Sequence, residues 1–137
     1  MKIAVCIKQV PDTTDVKIDP KTNTLVREGV ASITNPFDEY ALEEALLIKE
    51  KHGGEIHVIS MGPPQAAEVL KNALAVGADK VFLVSDKAFA GADTLATAYT
   101  VAKTIQAVVG ELDLVICGKQ AIDGDTAQVG PGIATRL

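Results

Sequence analysis

The stretch IHVISMGPPQAAEVLKNALAVGADKVFLV, residues 56–84, decides the fold. It opens and closes on short, near-continuous apolar runs, Ile56-His57-Val58-Ile59 and Val81-Phe82-Leu83-Val84. Parallel strands covered on both faces have this character. Between the runs, Ala66, Ala67, Leu70, Ala73 and Leu74 recur at helical spacing within residues 65–76. Pro64 suits a first helical turn, where its missing N–H costs nothing, and Gly77 offers a left-handed stop. This is one strand–helix–strand unit, and the pattern extends in both directions. Ile3-Ala4-Val5-Cys6-Ile7 and Leu114-Val115-Ile116-Cys117 read as two more buried strands. Residues 38–52 carry Ala41, Leu42, Ala45, Leu46 and Ile48 on one side; residues 94–109 carry Leu95, Ala98, Tyr99, Ala102, Ile105 and Val109, with Asp93 placed to cap and Gly110 to stop. Strand–helix alternation at this spacing predicts an α/β fold, an open, mostly parallel sheet with helices on both faces. One segment departs from the scheme: residues 16–27, with Asp19-Pro20-Lys21-Thr22-Asn23 at their centre, read as an inserted β-hairpin.

The 137 residues are 47% apolar and 23% charged, which fits one domain, residues 1–137. A mean hydropathy of +0.22 comes with no apolar run near the ~18 residues of a membrane span, and the start lacks the apolar core of a signal peptide. The cytoplasm is the expected location. A net charge of −5, no Trp and few other aromatics leave no basic, stacking surface for nucleic acid. Cys6 and Cys117, far apart in sequence and inside apolar runs, read as buried small apolar residues. After the fourth strand a loop leads into a helix, residues 127–137, with no fifth strand following, so the domain is expected to be truncated there and the 113–117 strand to lie on an edge.

Ligands of open α/β sheets bind beyond the carboxyl ends of the strands. The exit of the fourth strand, Gly118 to Gly130, is longer than the two to six residues usual for such a loop, and loops of that length tend to be functional. Gly118, Gly124 and Gly130 let backbone amides approach an anion, Thr126 offers a hydroxyl, and Pro131 places the next helix start near residues 126–128, with its positive dipole end toward the ligand. Asp123 and Asp125 argue against a bare phosphate site and suit capping of amides or ribose hydroxyls; a solvated Asp-Gly turn is the plainer alternative. The Thr34-Asn35-Pro36-Phe37-Asp38-Glu39 turn before the first helix explains itself as capping, while the Asn35 amide has the donor and acceptor needed for an adenine edge or ribose. Lys8 stands at the first strand's exit, either near a bound anion or in solvent. Neither His52 nor His57 has partners at metal-ligand spacing, and no nucleophile elbow, G-x-G-x-x-G or G-x-x-x-x-G-K-[ST] occurs. No catalytic side chain and no metal site is expected.

The opening Lys2-Ile3-Ala4-Val5-Cys6-Ile7-Lys8-Gln9-Val10-Pro11-Asp12-Thr13, the Asn35-Pro36-Phe37-Asp38 turn, Met61-Gly62-Pro63 and the run from Gly118 to Pro131 resemble the β subunit of electron transfer flavoproteins, over its amino-terminal half or a little more. The resemblance implies a Rossmann-like, adenine-nucleotide-binding domain. It places the nucleotide against Cys6, Asn35, Pro36, Phe37, Asp38, Met61, Gly118, Lys119, Gln120, Ala121, Ile122, Asp123, Gly124, Asp125, Thr126, Ala127, Gln128 and Val129. It implies an electron-carrier subunit whose redox chemistry belongs to flavin, paired with an electron transfer flavoprotein α subunit and serving acyl-CoA dehydrogenase-type partners. Residues 123–131 and Val26-Arg27-Glu28-Gly29-Val30 look more like the electron-bifurcating class, in which the nucleotide is FAD and NADH the donor, than like the class that holds AMP. A universal-stress-protein-like module binding ATP or AMP is the alternative from another class, although Gly118 to Gly130 does not fit its glycine spacing.

Overall fold

The computed structural model describes residues 1–12, 17–25 and 31–137. In chain order the strands and helices are β1 (Lys2–Cys6), β2 (Gln9–Pro11), β3 (Ile18–Asp19), β4 (Thr24–Leu25), β5 (Ser32–Thr34), α1 (Pro36–His52), β6 (Glu55–Met61), α2 (Ala67–Val76), β7 (Lys80–Val84), α3 (Thr94–Val108), β8 (Leu114–Cys117) and α4 (Val129–Arg136). The four apolar runs form one parallel sheet in the order β7-β6-β1-β8, so the expected α/β architecture holds. From β1 the chain builds outward to β6 and β7, then crosses back to add β8 on the other side. Among the described residues β8 is therefore an edge strand, paired with β1 alone.

Alternation along β1 sorts its side chains onto two cores. Ile3, Val5 and Ile7 meet Ala41, Leu42 and Ala45 of α1 and Val69, Leu70 and Ala73 of α2. Ala4 faces the opposite way, with Ile59 of β6, toward Ala98, Val101, Ala102 and Ile105 of α3 and Ile133 of α4. Ile3, Ile56, Ile59, Ile105 and Ile133 are completely or almost completely buried, each stabilising the fold by roughly 1.5–3 kcal/mol relative to exposure. Small residues on the helix faces let the helices lie close to the sheet.

The punctuation behaves as the residue types require. The Asp93 carboxylate accepts from the Ala96 amide at 2.8 Å, capping α3, and Gly77 and Gly110 take φ values of 126° and 72° after α2 and α3. Pro64 sits in a short 3₁₀ turn ahead of α2. Helix α1 starts two residues earlier than the periodicity suggests because Pro36 occupies its first position. In the expected hairpin, Ile18–Asp19 pairs antiparallel with Thr24–Leu25; residues 16, 26 and 27 lie outside the described residues, as does the whole 26–30 stretch. One feature has no counterpart in the apolar pattern: β2 pairs antiparallel with β5, Gln9 opposite Thr34, tying the chain leaving β1 to the chain entering α1.

Asp93→Ala removes the α3 cap and leaves the Ala96 amide without its side-chain acceptor. The expected loss is about 1 kcal/mol, read as a lower denaturant midpoint with an unchanged slope; an unchanged midpoint would show that the cap contributes nothing.

Candidate functional site

Because the chain reverses its direction of sheet growth at β1, the carboxyl ends of β1 and β8 form a topological switch point, the usual ligand position in such sheets. Cys6 and Cys117, the last residues of the two strands, stand directly opposite each other. The start of α1 closes over both exits. Its position follows from the β2–β5 pairing and from the Asn35 amide, which donates to the Lys8 carbonyl at 2.8 Å.

Two side chains from this helix start hold the exits. The Lys8 amide donates to Asp38 Oδ2 at 2.8 Å, and the Gly118 amide also donates to the Asp38 carboxylate. A Cβ at Gly118 would lie 2.2 Å from Asp38 Oδ1 and 2.7 Å from the Phe37 carbonyl carbon, so only glycine allows β8's exit to approach α1 this closely. Asn35 is 0% exposed. Its Nδ2 donates to the Gln120 carbonyl at 2.7 Å, and its Oδ1 accepts from the Ile122 amide at 3.0 Å. Asn35 thus reaches the strand exits, but its amide is engaged by the loop's own backbone and by the Asp38 carboxylate, and orders the loop from within. Lys119 extends over the Phe37 ring, its Nζ 5.9 Å from the centroid.

The two loop carboxylates are likewise engaged. Lys8 Nζ lies 2.7 Å from Asp123 Oδ1, with the Asp123 side chain fully buried, and the Gly124 amide donates to the same oxygen at 2.8 Å. Asp125 accepts from Gln120 Nε2, and its amide donates to the Ala121 carbonyl at 2.9 Å. Both charges are therefore turned inward or paired, which weakens the electrostatic objection they raise against a phosphate. Beyond them the backbone becomes unusual. Asp125 and Ala127 adopt left-handed φ values of 54° and 57°, and Gln128 follows at φ −106°, ψ −15°. A left-handed residue followed by a right-handed one is the pattern that can turn successive amides toward one side, as in anion-binding nests; here the amides are those of Ala127, Gln128 and Val129. Helix α4 begins at that point, so its positive dipole end adds to the same field. Gly130 rests on Cys117, where a Cβ would stand 3.5 Å from that of the cysteine.

Burial raises the Asp38 carboxyl from 3.8 to about 6, partly offset by hydrogen bonds from the Asn35 side chain and the Lys8 and Gly118 amides and by the Lys8 charge. The two thiols titrate as a pair. Cys117 is lowered, chiefly by a hydrogen bond from Cys6, whereas Cys6 is raised by that same bond, by burial and by the charges of Cys117 and Asp38.

The structure thus brings Cys6, the Asn35–Asp38 turn and the 118–129 loop together at the exits of β1 and β8. Met61, at the exit of β6, packs on the same core as Cys6, Cys117 and Val129. Sequence reasoning left Lys8 between solvent and a ligand, and its partner is Asp123. It did not foresee the contact of the two cysteines, since residues 111 positions apart carry no signal of adjacency until the order of the strands is known. The described residues contain no group of three or more His, Cys, Asp or Glu placed to hold a metal. An open depression of about 700 Å³ lies at the opposite, amino end of the sheet, lined by Lys2, Glu55, Glu111 and Asp113 among others. Its three carboxylates make it a poor host for an anion.

Residues 22–137 match the family model described as the electron transfer flavoprotein domain. Over all 137 residues the chain is 61% identical to the electron transfer flavoprotein subunit beta of Thermoanaerobacterium thermosaccharolyticum, covering 52% of that protein. It is 61% identical to subunit CarD of the caffeyl-CoA reductase–Etf complex of Acetobacterium woodii, covering 100% of this chain and 52% of that one, and 54% identical to protein FixA of Sinorhizobium fredii, covering 100% and 49%. The chain spans about half the length of the curated relatives it matches.

Two outcomes follow from this geometry. Gly118→Ala drives a methyl group into Asp38 and the α1 backbone, and is expected to cost about 1–3 kcal/mol, measured by denaturant unfolding; a neutral result would mean that the exits are not held as described. The folded chain retains the Asp38 proton to a higher pH than the unfolded chain. This carboxyl's contribution to stability is therefore full below about pH 4 and is lost as pH rises through about 6, a span of about 3 kcal/mol. A carboxyl-carbon NMR titration should give a midpoint near 6 for Asp38, and a midpoint near 4 would mean that it is solvated.

Proposed function

The chain belongs to the electron transfer flavoprotein family, in its β-subunit line, and from that premise we propose that it forms the nucleotide-holding part of an electron-carrier subunit, with FAD in the crevice between β1 and β8. The observation that carries the reading is the 118–129 loop. It is fastened across the two strand exits by Asn35 and Asp38, its carboxylates are occupied, and the amides of Ala127, Gln128 and Val129 converge at the start of α4. That donor set suits the diphosphate of a dinucleotide. The strained φ of Ala127 is the kind of local cost that persists where surrounding structure enforces it for function.

In this reading the chain's own residues bind, orient and exclude water. The loop amides hold phosphate, and the Asn35 and Asp38 contacts keep those amides in place before the ligand arrives. Cys6, Met61, Cys117 and Val129 provide an apolar floor. A bound flavin supplies the electron transfer itself, so no side chain needs to act as acid or base. The subunit pairs with an electron transfer flavoprotein α subunit and relays electrons from a donor such as NADH to acyl-CoA dehydrogenase-type partners. The name of the relative CarD, a subunit of a caffeyl-CoA reductase–Etf complex, supports a partner that acts on CoA thioesters. No helix of the described residues is long and apolar enough to cross a membrane, in keeping with a cytoplasmic carrier. The second reading keeps the same site and fills it with AMP, whose single phosphate the same amides would serve. The family match sets the stress-protein alternative aside.

Gly124 offers a clean test, because a Cβ there meets nothing within 4 Å and a large side chain can enter the open space without disturbing the fold. In the full-length protein purified with its α partner, Gly124→Leu is expected to lower bound nucleotide at least tenfold with the circular dichroism unchanged; full nucleotide occupancy in the variant would contradict the site. Acid release and chromatography of the unmodified complex should yield two FAD per heterodimer, whereas one FAD with one AMP would establish the second reading.

A further inference from the structure

The two cysteines have a chemistry that electron transfer through a bound flavin does not use. Cys6 and Cys117 are register partners on adjacent parallel strands. Such strands run roughly 4.8 Å apart, inside the ~4.4–6.8 Å separation of α-carbons that a disulfide spans. Register partners in a parallel pair point to the same face, and both thiols pack on the same core, beside Met61 and Val129. Both are free, and both are only partly buried. Each is the last residue of its strand, so the backbone beyond is loop and can adjust as the sulfurs approach.

We propose that Cys6 and Cys117 form a redox-responsive dithiol, which hydrogen peroxide oxidises to a disulfide joining the ends of β1 and β8. The Cys117 thiolate, which ionises first because Cys6 donates a hydrogen bond to it, attacks one peroxide oxygen; the O–O bond breaks, hydroxide leaves, and Cys117 becomes a sulfenic acid. The Cys6 sulfur then attacks the Cys117 sulfur, the S–O bond breaks, and the Cys6 thiol proton leaves with the departing hydroxide as water. In total, two thiols and one peroxide give one disulfide and two waters, and an added dithiol reverses the change. Gly130, the second residue of α4, lies 3.9 Å from Cys117 Sγ measured from the position of a Cβ, so the bond forms directly beneath the start of that helix. The dithiol is independent of which molecule fills the crevice.

The test uses the full-length protein in the assembly in which it is purified, reduced and then stripped of bound small molecules. It is treated with one equivalent of hydrogen peroxide, its remaining thiols are alkylated, and the digest is read by mass spectrometry. The expected result is the joint loss of alkylation at Cys6 and Cys117, with a linked peptide pair that disappears on reduction. Cys6→Ser should abolish the linked pair and leave Cys117 as a sulfenic acid, which passes to sulfinic acid when a second equivalent of peroxide is added. Independent oxidation of Cys117 in the unmodified protein with Cys6 still alkylated, or no oxidation of either thiol, overturns the proposal.

Discussion

The carboxylate of Asp38 is the constraint on which the site depends. It stands where three chain segments converge, the exit of β1, the exit of β8 and the start of α1, and it takes the Lys8 and Gly118 amides from the two strands at once. Taking a charge out of water is costly unless it is hydrogen-bonded, and the rise of its pKa to about 6 records the part of that cost left uncompensated. In return, the helix start is seated against both strand ends, which brings Asn35 to the loop backbone. Without the glycine at 118 there would be no room for the carboxylate.

The consequences run outward from that contact. Asn35 fixes the loop through the Gln120 carbonyl and the Ile122 amide, and Lys8, two residues past the end of β1, reaches Asp123. With the acidic side chains satisfied by protein partners, the remaining field at the loop's far end is that of backbone amides and a helix start. In the proposed function, such a site would recognise phosphate by dipoles whose orientation is set before binding, so little of the binding free energy would go into ordering the loop.

The fold was largely legible because its signals are local. The apolar run of residues 56–59, the Gly77 stop and the Asp93 cap each act within a few residues, whereas the order of the strands in the sheet rests on long-range packing and was not read from the sequence. The β2–β5 pairing was not legible: three-residue strands such as Gln9–Pro11 carry no period to read. The site was legible as a place, from the length and glycine content of residues 118–130 and from the family resemblance. The division of labour inside it was not. Asn35 offers the same donor and acceptor whether it faces a ligand or a loop, and only the three-dimensional arrangement shows that it faces the loop. The cysteine pair and the Lys8–Asp123 ion pair were hidden for a related reason, since each joins segments more than a hundred residues apart.

In the proposed function, the amides at the start of α4 hold the phosphate of an adenine nucleotide. A crystal structure of the full-length protein with its α partner and bound nucleotide tests it most directly. Phosphate oxygens are expected within ~2.7–3.2 Å of the amide nitrogens of Ala127, Gln128 and Val129. Phosphates held elsewhere, with those three amides facing water, would contradict it.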